Sequence, residues 1–270
     1  MTRHLVDGVN LNAEELAPSS KPPLVLLHGF TGSSESWRPF ADDFARTHRP
    51  IGVDLLGHGL SDSADDPACY RAEAAVRQLL ALFDRLDVGP VDLLGYSMGG
   101  RVALQLAAAA PERIRRLVLE SASPGIVDPA ERAARIKSDA ALADFAEREG
   151  LAAFVDRWER VPLFASQARL PEEVRARLRG QRLRGDARGL AGSLRGFGAG
   201  VPGPLWDRLP TMPTLIVVGA LDEKYCAIGR EMAARMPNAR LEVVPNAGHT
   251  VHLEQQDAFR RLVTDFLGGC

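Results

Sequence analysis

The sequence predicts an α/β fold: a mostly parallel sheet flanked by helices and interrupted by an inserted helical cap. Three observations lead there. Short apolar runs alternate with amphipathic stretches over the first part of the chain. The alternation stops after Ser123 and gives way to helical signals without a strand. Two further apolar runs then follow beyond about Trp206.

The first runs are "PLVLLHG" (23–29), "PIGVDLLG" (50–57), "VDLLGYS" (91–97) and "RLVLESAS" (116–123). Between them, stretches such as 72–86 repeat apolar residues at helical spacing, the pattern of crossover helices covering a parallel sheet. From "SPGIVDPAERAARIKSD" to about Trp206 only helical signals occur. Strand signals resume at "PTLIVVGALD" (213–222) and "RLEVVPNAGH" (240–249), and a final helix is expected over about 251–267. The expected organisation is a core domain in two parts, 1–122 and 208–270, separated by a helical cap insertion over 123–207. There is no internal repeat, and "AAAA" at 107–110 reads as helix interior.

With 270 residues, 46% of them hydrophobic, the chain is long enough to bury a full core. A formal charge of -2 and a pI near 6.3 supply no basic field for nucleic acid or an anionic membrane. The opening "MTRHLVDGVNLNAEELAPSS" interrupts its apolar residues with Asp7, Glu14 and Glu15, unlike a secretion signal, and no later stretch approaches a membrane span. A soluble, cytoplasmic protein is the expectation, as a monomer or small homo-oligomer. Cys69, Cys226 and Cys270 are odd in number and widely spaced, which argues against a disulfide framework or a thiolate metal site. Cys270, as the final residue, does not sit in a prenylation box.

Gly95, Ser97 and Gly99 form G-x-S-x-G between a strand and a helix, the context of a nucleophile elbow. The helix that follows aims its positive end at the same point, favouring developing negative charge. A serine nucleophile needs a base, and the base needs an orienting carboxylate. His249 in "VPNAGHTVHLE" and Asp222 in "VVGALDEKY" each follow an expected strand, so both fall at the sheet edge where Ser97 lies. A helix N-cap is the alternative reading of Asp222, and a surface histidine that of His249. His28 reads as structural, held beneath its loop, and His252 as part of the final helix. The main-chain N–H groups of Phe30 and Met98 are the expected oxyanion donors, one on the loop after the first strand and one just after the serine.

On "LLHGFTGSSESW", "VDLLGHGLSD", "GYSMGG", "GALDEKY" and "AGHTVHLE", in that order, the chain resembles the α/β-hydrolase superfamily. The order Ser97, Asp222, His249 is also that superfamily's order. Asp54, Gly57, His58, Gly59 and Ser61 match its second loop motif, which is mostly architectural. Serine at position 97 sets aside dehalogenases and dienelactone hydrolases, whose nucleophiles are aspartate and cysteine. The fold serves many chemistries, so the cap must discriminate among those that remain.

From Arg169 to Arg195 there are eight arginines (169, 175, 177, 179, 182, 184, 188 and 195) against Glu172, Glu173 and Asp186. Such a run is either a solvated helix face or a roof that binds carboxylates in pairs of hydrogen bonds. Arg101, one helical turn after Ser97, reads either as a pocket cation or as a salt-bridge partner at the sheet edge. Together the arginines suggest a small polycarboxylate substrate.

A finer resemblance agrees. "GYSMGGRVALQLA", "LESASPGI", "ERAARIKSD", "WERVPLFASQ", "SLRGFGAG" and the "LW" before the next strand are similar to the 2-succinyl-6-hydroxy-2,4-cyclohexadiene-1-carboxylate synthases, pyruvate-eliminating lyases of menaquinone and phylloquinone biosynthesis. The resemblance implies a cyclohexene substrate with carboxylates on its ring, its succinyl arm and its enolpyruvyl ether, and no metal or organic cofactor. It implies substrate contacts at Tyr96, Arg101, Arg135 and Trp158 and at one cap arginine before "SLRG". Arg184 is the expected residue, with Arg179 and Arg182 as alternatives. Packing alone is the alternative for Tyr96 and Trp158. The implied mechanism uses His249, held by Asp222, to make Ser97 a proton-abstracting base. A serine hydrolase of esters or of C–C bonds in carboxylated ketones, and a noncatalytic small-molecule receptor, are the alternatives.

Overall fold

Leu24 to Leu27, Leu93, Leu94 and Leu215 to Val218 are each no more than 1% exposed. The central strands are buried on both faces, so their sequences read as unbroken apolar runs rather than as alternation. The computed structural model describes residues 2–269; Cys270, and the expectation for it, lies outside the described residues.

The chain opens with a hairpin of β1 (Thr2–Val6) and β2 (Val9–Glu15), turned at Asp7 and Gly8 with φ of 47° and 82°. Asp-Gly is the residue pair that such a two-residue turn favours. Then follow β3 (Pro23–Leu27), α1 (Ala41–Ala45), β4 (Arg49–Val53), α2 (Ala72–Arg85), β5 (Val91–Tyr96), α3 (Met98–Ala109) and β6 (Ile114–Glu120). Between β6 and the next strand lie three helices: α4 (Pro129–Trp158), interrupted at Gly150 with φ 82°, α5 (Glu172–Leu183) and α6 (Ala187–Phe197). The chain returns to the sheet with β7 (Thr214–Gly219), α7 (Glu223–Arg235) and β8 (Ala239–Val244). It ends with α8 (Val251–Glu254) and α9 (Gln256–Gly268). The single final helix expected from sequence is thus two, broken at Gln255 where φ is -139° and ψ 61°.

The sheet has eight strands in the order β1-β2-β4-β3-β5-β6-β7-β8, two more than the apolar runs indicate because the opening hairpin joins its edge. β1 and β2 are antiparallel to their neighbours, and every other pairing is parallel. The carboxyl ends of β5, β7 and β8 therefore open on one edge. On one face α2 and α3 contribute Leu79, Leu82, Val102 and Leu106 to the core. On the other, Trp37, Phe40 and Phe44 meet Phe259 and Val263 of α9. The inserted helices share a smaller core of Ala143, Phe154, Val155, Leu190 and Leu194. Among the described residues no helix is long and apolar enough to cross a membrane.

Candidate active site

β5 ends at Tyr96, and the next residue turns the chain. Ser97 sits at φ 50° and ψ -105°, a strained conformation that costs about 1–3 kcal/mol. The surrounding main chain holds it there. Its N–H donates to the Glu120 carbonyl at 2.8 Å, and the Arg101 N–H donates to its carbonyl at 3.0 Å. A Cβ on Gly95 would lie 2.5 Å from the Gly99 carbonyl oxygen, and one on Gly99 would lie 2.4 Å from that of Leu27. Glycine at both positions is what lets α3 start this close to β3 and β5.

His249 and Asp222 meet Ser97 at this edge. His249 is 1% exposed and Asp222 8%. The His249 Nδ1 lies 2.7 Å from Asp222 Oδ2, and Nε2 lies 2.9 Å from Ser97 Oγ. An ionised carboxylate only accepts, so Nδ1 carries the proton and Nε2 is left to accept from the serine hydroxyl. Asp222 also caps α7, because Oδ1 accepts the Tyr225 N–H at 3.2 Å. The two contacts coexist, one on each oxygen.

The loop between β3 and α1 faces the elbow. His28 is fully buried beneath it, accepting the Leu55 N–H on Nε2 at 3.0 Å and reaching the Gly29 carbonyl with Nδ1 at 2.7 Å. Burial lowers its pKa, so the ring is a neutral strut. Asp54 of the second loop accepts from Ser34 N, Asn12 Nδ2 and Leu60 N at 2.6, 2.9 and 2.9 Å, an architectural use. Among the described residues no protein acceptor takes the N–H of Phe30 or of Met98. Met98 opens α3, where helix donors have no partner within the helix.

Above Ser97 lies a cavity of about 70 Å³ whose walls include Phe30, Tyr96, Arg101, Arg135, Trp158 and Tyr225. Arg101 donates to the Phe197 carbonyl at 2.8 Å and stacks over the Phe197 ring at 5.1 Å. Among the described residues it has no carboxylate partner, so the expected alternative of a salt bridge does not hold. Burial lowers its pKa to about 10. Arg135 is held by both oxygens of the buried Asp139, each 2.9 Å from Nε, and its terminal nitrogens have no protein partner among the described residues.

The aromatic walls serve packing and cavity alike. Trp158 stands edge-on to Phe30 with ring centres 5.1 Å apart, and its buried Nε1–H has no acceptor among the described residues. The Tyr96 ring lies between His249 and His252, at 5.6 and 4.8 Å, and its hydroxyl is 3.0 Å from Thr250 Oγ1. Tyr225 was not anticipated. Its ring packs edge-on to His249 at 4.6 Å, and burial raises its phenol pKa. Its place three residues after Asp222, in the first turn of α7, was the available signal.

The cap arginines divide sharply. Arg184 has a 60% exposed side chain and pairs with Glu35, so the structure does not bring it to the Ser97 cavity. Arg179 pairs with Asp156 and Glu159 at 2.6 and 2.8 Å, and Arg195 with Asp144 and Glu147 at 2.6 and 2.7 Å. Arg188 pairs with Asp65. Arg179, Arg184, Arg188 and Arg195 are therefore neutralised by acids from outside the run, which corrects its reading as a carboxylate-binding roof. Arg182 is the exception. It is buried, donates to Glu159 at 3.0 Å and lies over the Phe164 ring at 5.9 Å. It lines a second cavity of about 80 Å³ that shares Phe30, Tyr96 and Phe164 with the first.

A sequence-family profile described as the alpha/beta hydrolase fold matches residues 22–256. The chain belongs to that family. Within it, a Bacillus subtilis (strain 168) protein with the provisional name 2-succinyl-6-hydroxy-2,4-cyclohexadiene-1-carboxylate synthase is 46% identical over 97% of this chain and 96% of its own. The synthase of that name from Salmonella paratyphi C (strain RKS4594) is 33% identical over 86% of this chain and 88% of its own. The solved structure of MenH from S. aureus matches with a TM-score of 0.90 at 36% identity, covering 96% of this chain and 97% of that one. With spans this long, the likeness runs through the three inserted helices as well as the sheet.

Proposed function

We propose that this α/β-hydrolase-fold protein is a lyase of menaquinone biosynthesis. It would eliminate pyruvate from 2-succinyl-5-enolpyruvyl-6-hydroxy-3-cyclohexene-1-carboxylate to give 2-succinyl-6-hydroxy-2,4-cyclohexadiene-1-carboxylate. The observation that carries the reading is Arg101, a half-buried cation without a carboxylate partner among the described residues, in the cavity of Ser97. A charge left uncompensated in this way calls for an anionic ligand. The names and coverage of the relatives specify which one.

In the proposed mechanism His249 takes the Ser97 proton along their 2.9 Å contact while Asp222 holds the imidazole. Ser97 Oγ then removes the ring proton beside the succinyl ketone. The N–H groups of Phe30 and Met98 take the negative charge that develops on the ketone oxygen. As the enolate collapses through the ring double bond, the C–O bond to the enolpyruvyl group breaks. The departing enolate takes a proton back and becomes pyruvate. Arg101, Arg135 and Arg182 hold the carboxylates, with Tyr96 and Trp158 as walls. Every step moves protons and electron pairs already present, so none calls on a metal or cofactor.

The core-cap-core division (1–122, 123–207, 208–270) belongs to the same proposal, with the cap roofing the site. A cytoplasmic location is supported by Cys69 and Cys226, both free. The test is to supply freshly made enolpyruvyl cyclohexene substrate and follow pyruvate and diene absorbance, with Ser97→Ala as control. Release lost in the variant supports the lyase. Release at the spontaneous rate, with turnover of simple esters, overturns it in favour of a serine hydrolase.

A further inference from the structure

The loop that carries His249 is held at two points. The Gly248 N–H donates to Glu254 Oε2 at 2.8 Å, and the Thr250 N–H donates to Oε1 at 3.2 Å. One carboxylate therefore takes the main-chain donors immediately before and after His249. The Glu254 N–H donates to the Thr250 carbonyl at 3.0 Å, a single helical turn that folds the carboxylate back onto the loop. The second point is Glu120, fully buried, whose carboxylate accepts the His252 N–H at 3.0 Å and lies 2.8 Å from His252 Nδ1. Because Glu120 anchors the start of α8 independently, that turn does not depend on Glu254 to stay in place.

We infer that Glu254 is a positioning residue for proton transfer between Ser97 and His249. By tying down the main chain at both residues that flank His249, it sets the 2.9 Å approach of Nε2 to Ser97 Oγ. A general base must lie within hydrogen-bond reach of its proton, and a misplacement of about 1 Å costs about a hundredfold in rate. Capping α8 would need only one acceptor, whereas this carboxylate uses both oxygens on the neighbours of a single residue.

The inference rests on the proposal that Ser97 and His249 act as a pair, and its first readout needs no substrate. Wild type, Glu254→Gln and Glu254→Ala are compared by the rate of fluorophosphonate labelling at Ser97. They are compared also by kcat and KM for pyruvate release, and by the low-field proton resonance of His249 Nδ1–H. Glutamine keeps one acceptor and turns an NH2 toward the other donor, so labelling and kcat are expected to fall about tenfold. Alanine is expected to lower both about a hundredfold, and KM is expected to stay within about twofold because no substrate contact is touched. The resonance is expected to broaden or move in both variants.

Labelling and kcat within twofold of wild type in both variants would overturn the inference. So would losses with an unmoved resonance and a matching fall in Tm, which would make Glu254 merely structural. A wild-type protein that does not label would overturn the inference together with the pair. Labelling lost in the variants while wild type releases no pyruvate would support Glu254 and overturn only the lyase reading.

Discussion

Replacing Arg101 by methionine removes the charge from the Ser97 cavity while keeping an unbranched side chain, and its effects on stability and activity should diverge. Burial that lowers a guanidinium to about 10 disfavours the free cation by at most about 3 kcal/mol, an upper bound because the side chain is partly open to solvent. The variant relieves that cost but leaves the Phe197 carbonyl without its donor, worth about 1–3 kcal/mol, and loses a cation–π contact worth about 0.5–1 kcal/mol. The net change in stability is expected to lie within about 1 kcal/mol, a Tm shift of about 2–4 °C either way. A charge-assisted hydrogen bond to a substrate carboxylate contributes about 1.5–3 kcal/mol, so two of them predict a fall in kcat/KM of about a hundredfold to a thousandfold or more. Thermal unfolding and pyruvate-release kinetics on the same preparation measure both. Activity within threefold of wild type would refute the reasoning, as would unfolding of the variant at room temperature.

Three other outcomes follow from the same geometry. Asp222→Asn keeps an acceptor for the Tyr225 N–H but presents the wrong partner to His249 Nδ1, and kcat is expected to fall by about ten-thousandfold with little change in the far-ultraviolet dichroism. Arg182→Ala should raise KM at least tenfold while Arg184→Ala, which removes only the exposed pair with Glu35, should change it less than about twofold; equal effects in steady-state kinetics would refute the assignment. Phe259→Ala empties a fully buried position packed on Trp37 and Phe40 and should cost about 3–5 kcal/mol in denaturant titration.

The parallel strands were legible because strands buried on both faces must be apolar throughout, as Leu24 to Leu27 are. The opening hairpin was not, although Asp7-Gly8 announces its turn, because β1 is largely exposed and carries no apolar run. Ser97, Asp222 and His249 could be brought together on paper, since parallel strands place their carboxyl ends on one edge. The cap arginine could not be fixed to one residue. Arg179, Arg182 and Arg184 lie within two turns at the end of α5, and their orientation depends on packing against Glu159 and Phe164. The acids that neutralise Arg184, Arg188 and Arg195 come from Glu35, Asp65, Asp144 and Glu147, far along the chain. A charge pattern read locally cannot include them.

The strain at Ser97 separates where the reactive atom sits from what that atom is. Its positive φ is imposed by main-chain bonds to Glu120 and Arg101 and by the bare glycines on either side, none of which involves the hydroxyl. A change at this position alters the chemistry offered to a substrate without altering the point at which it is offered. That lets one scaffold change its reaction through a single residue while its sheet stays the same.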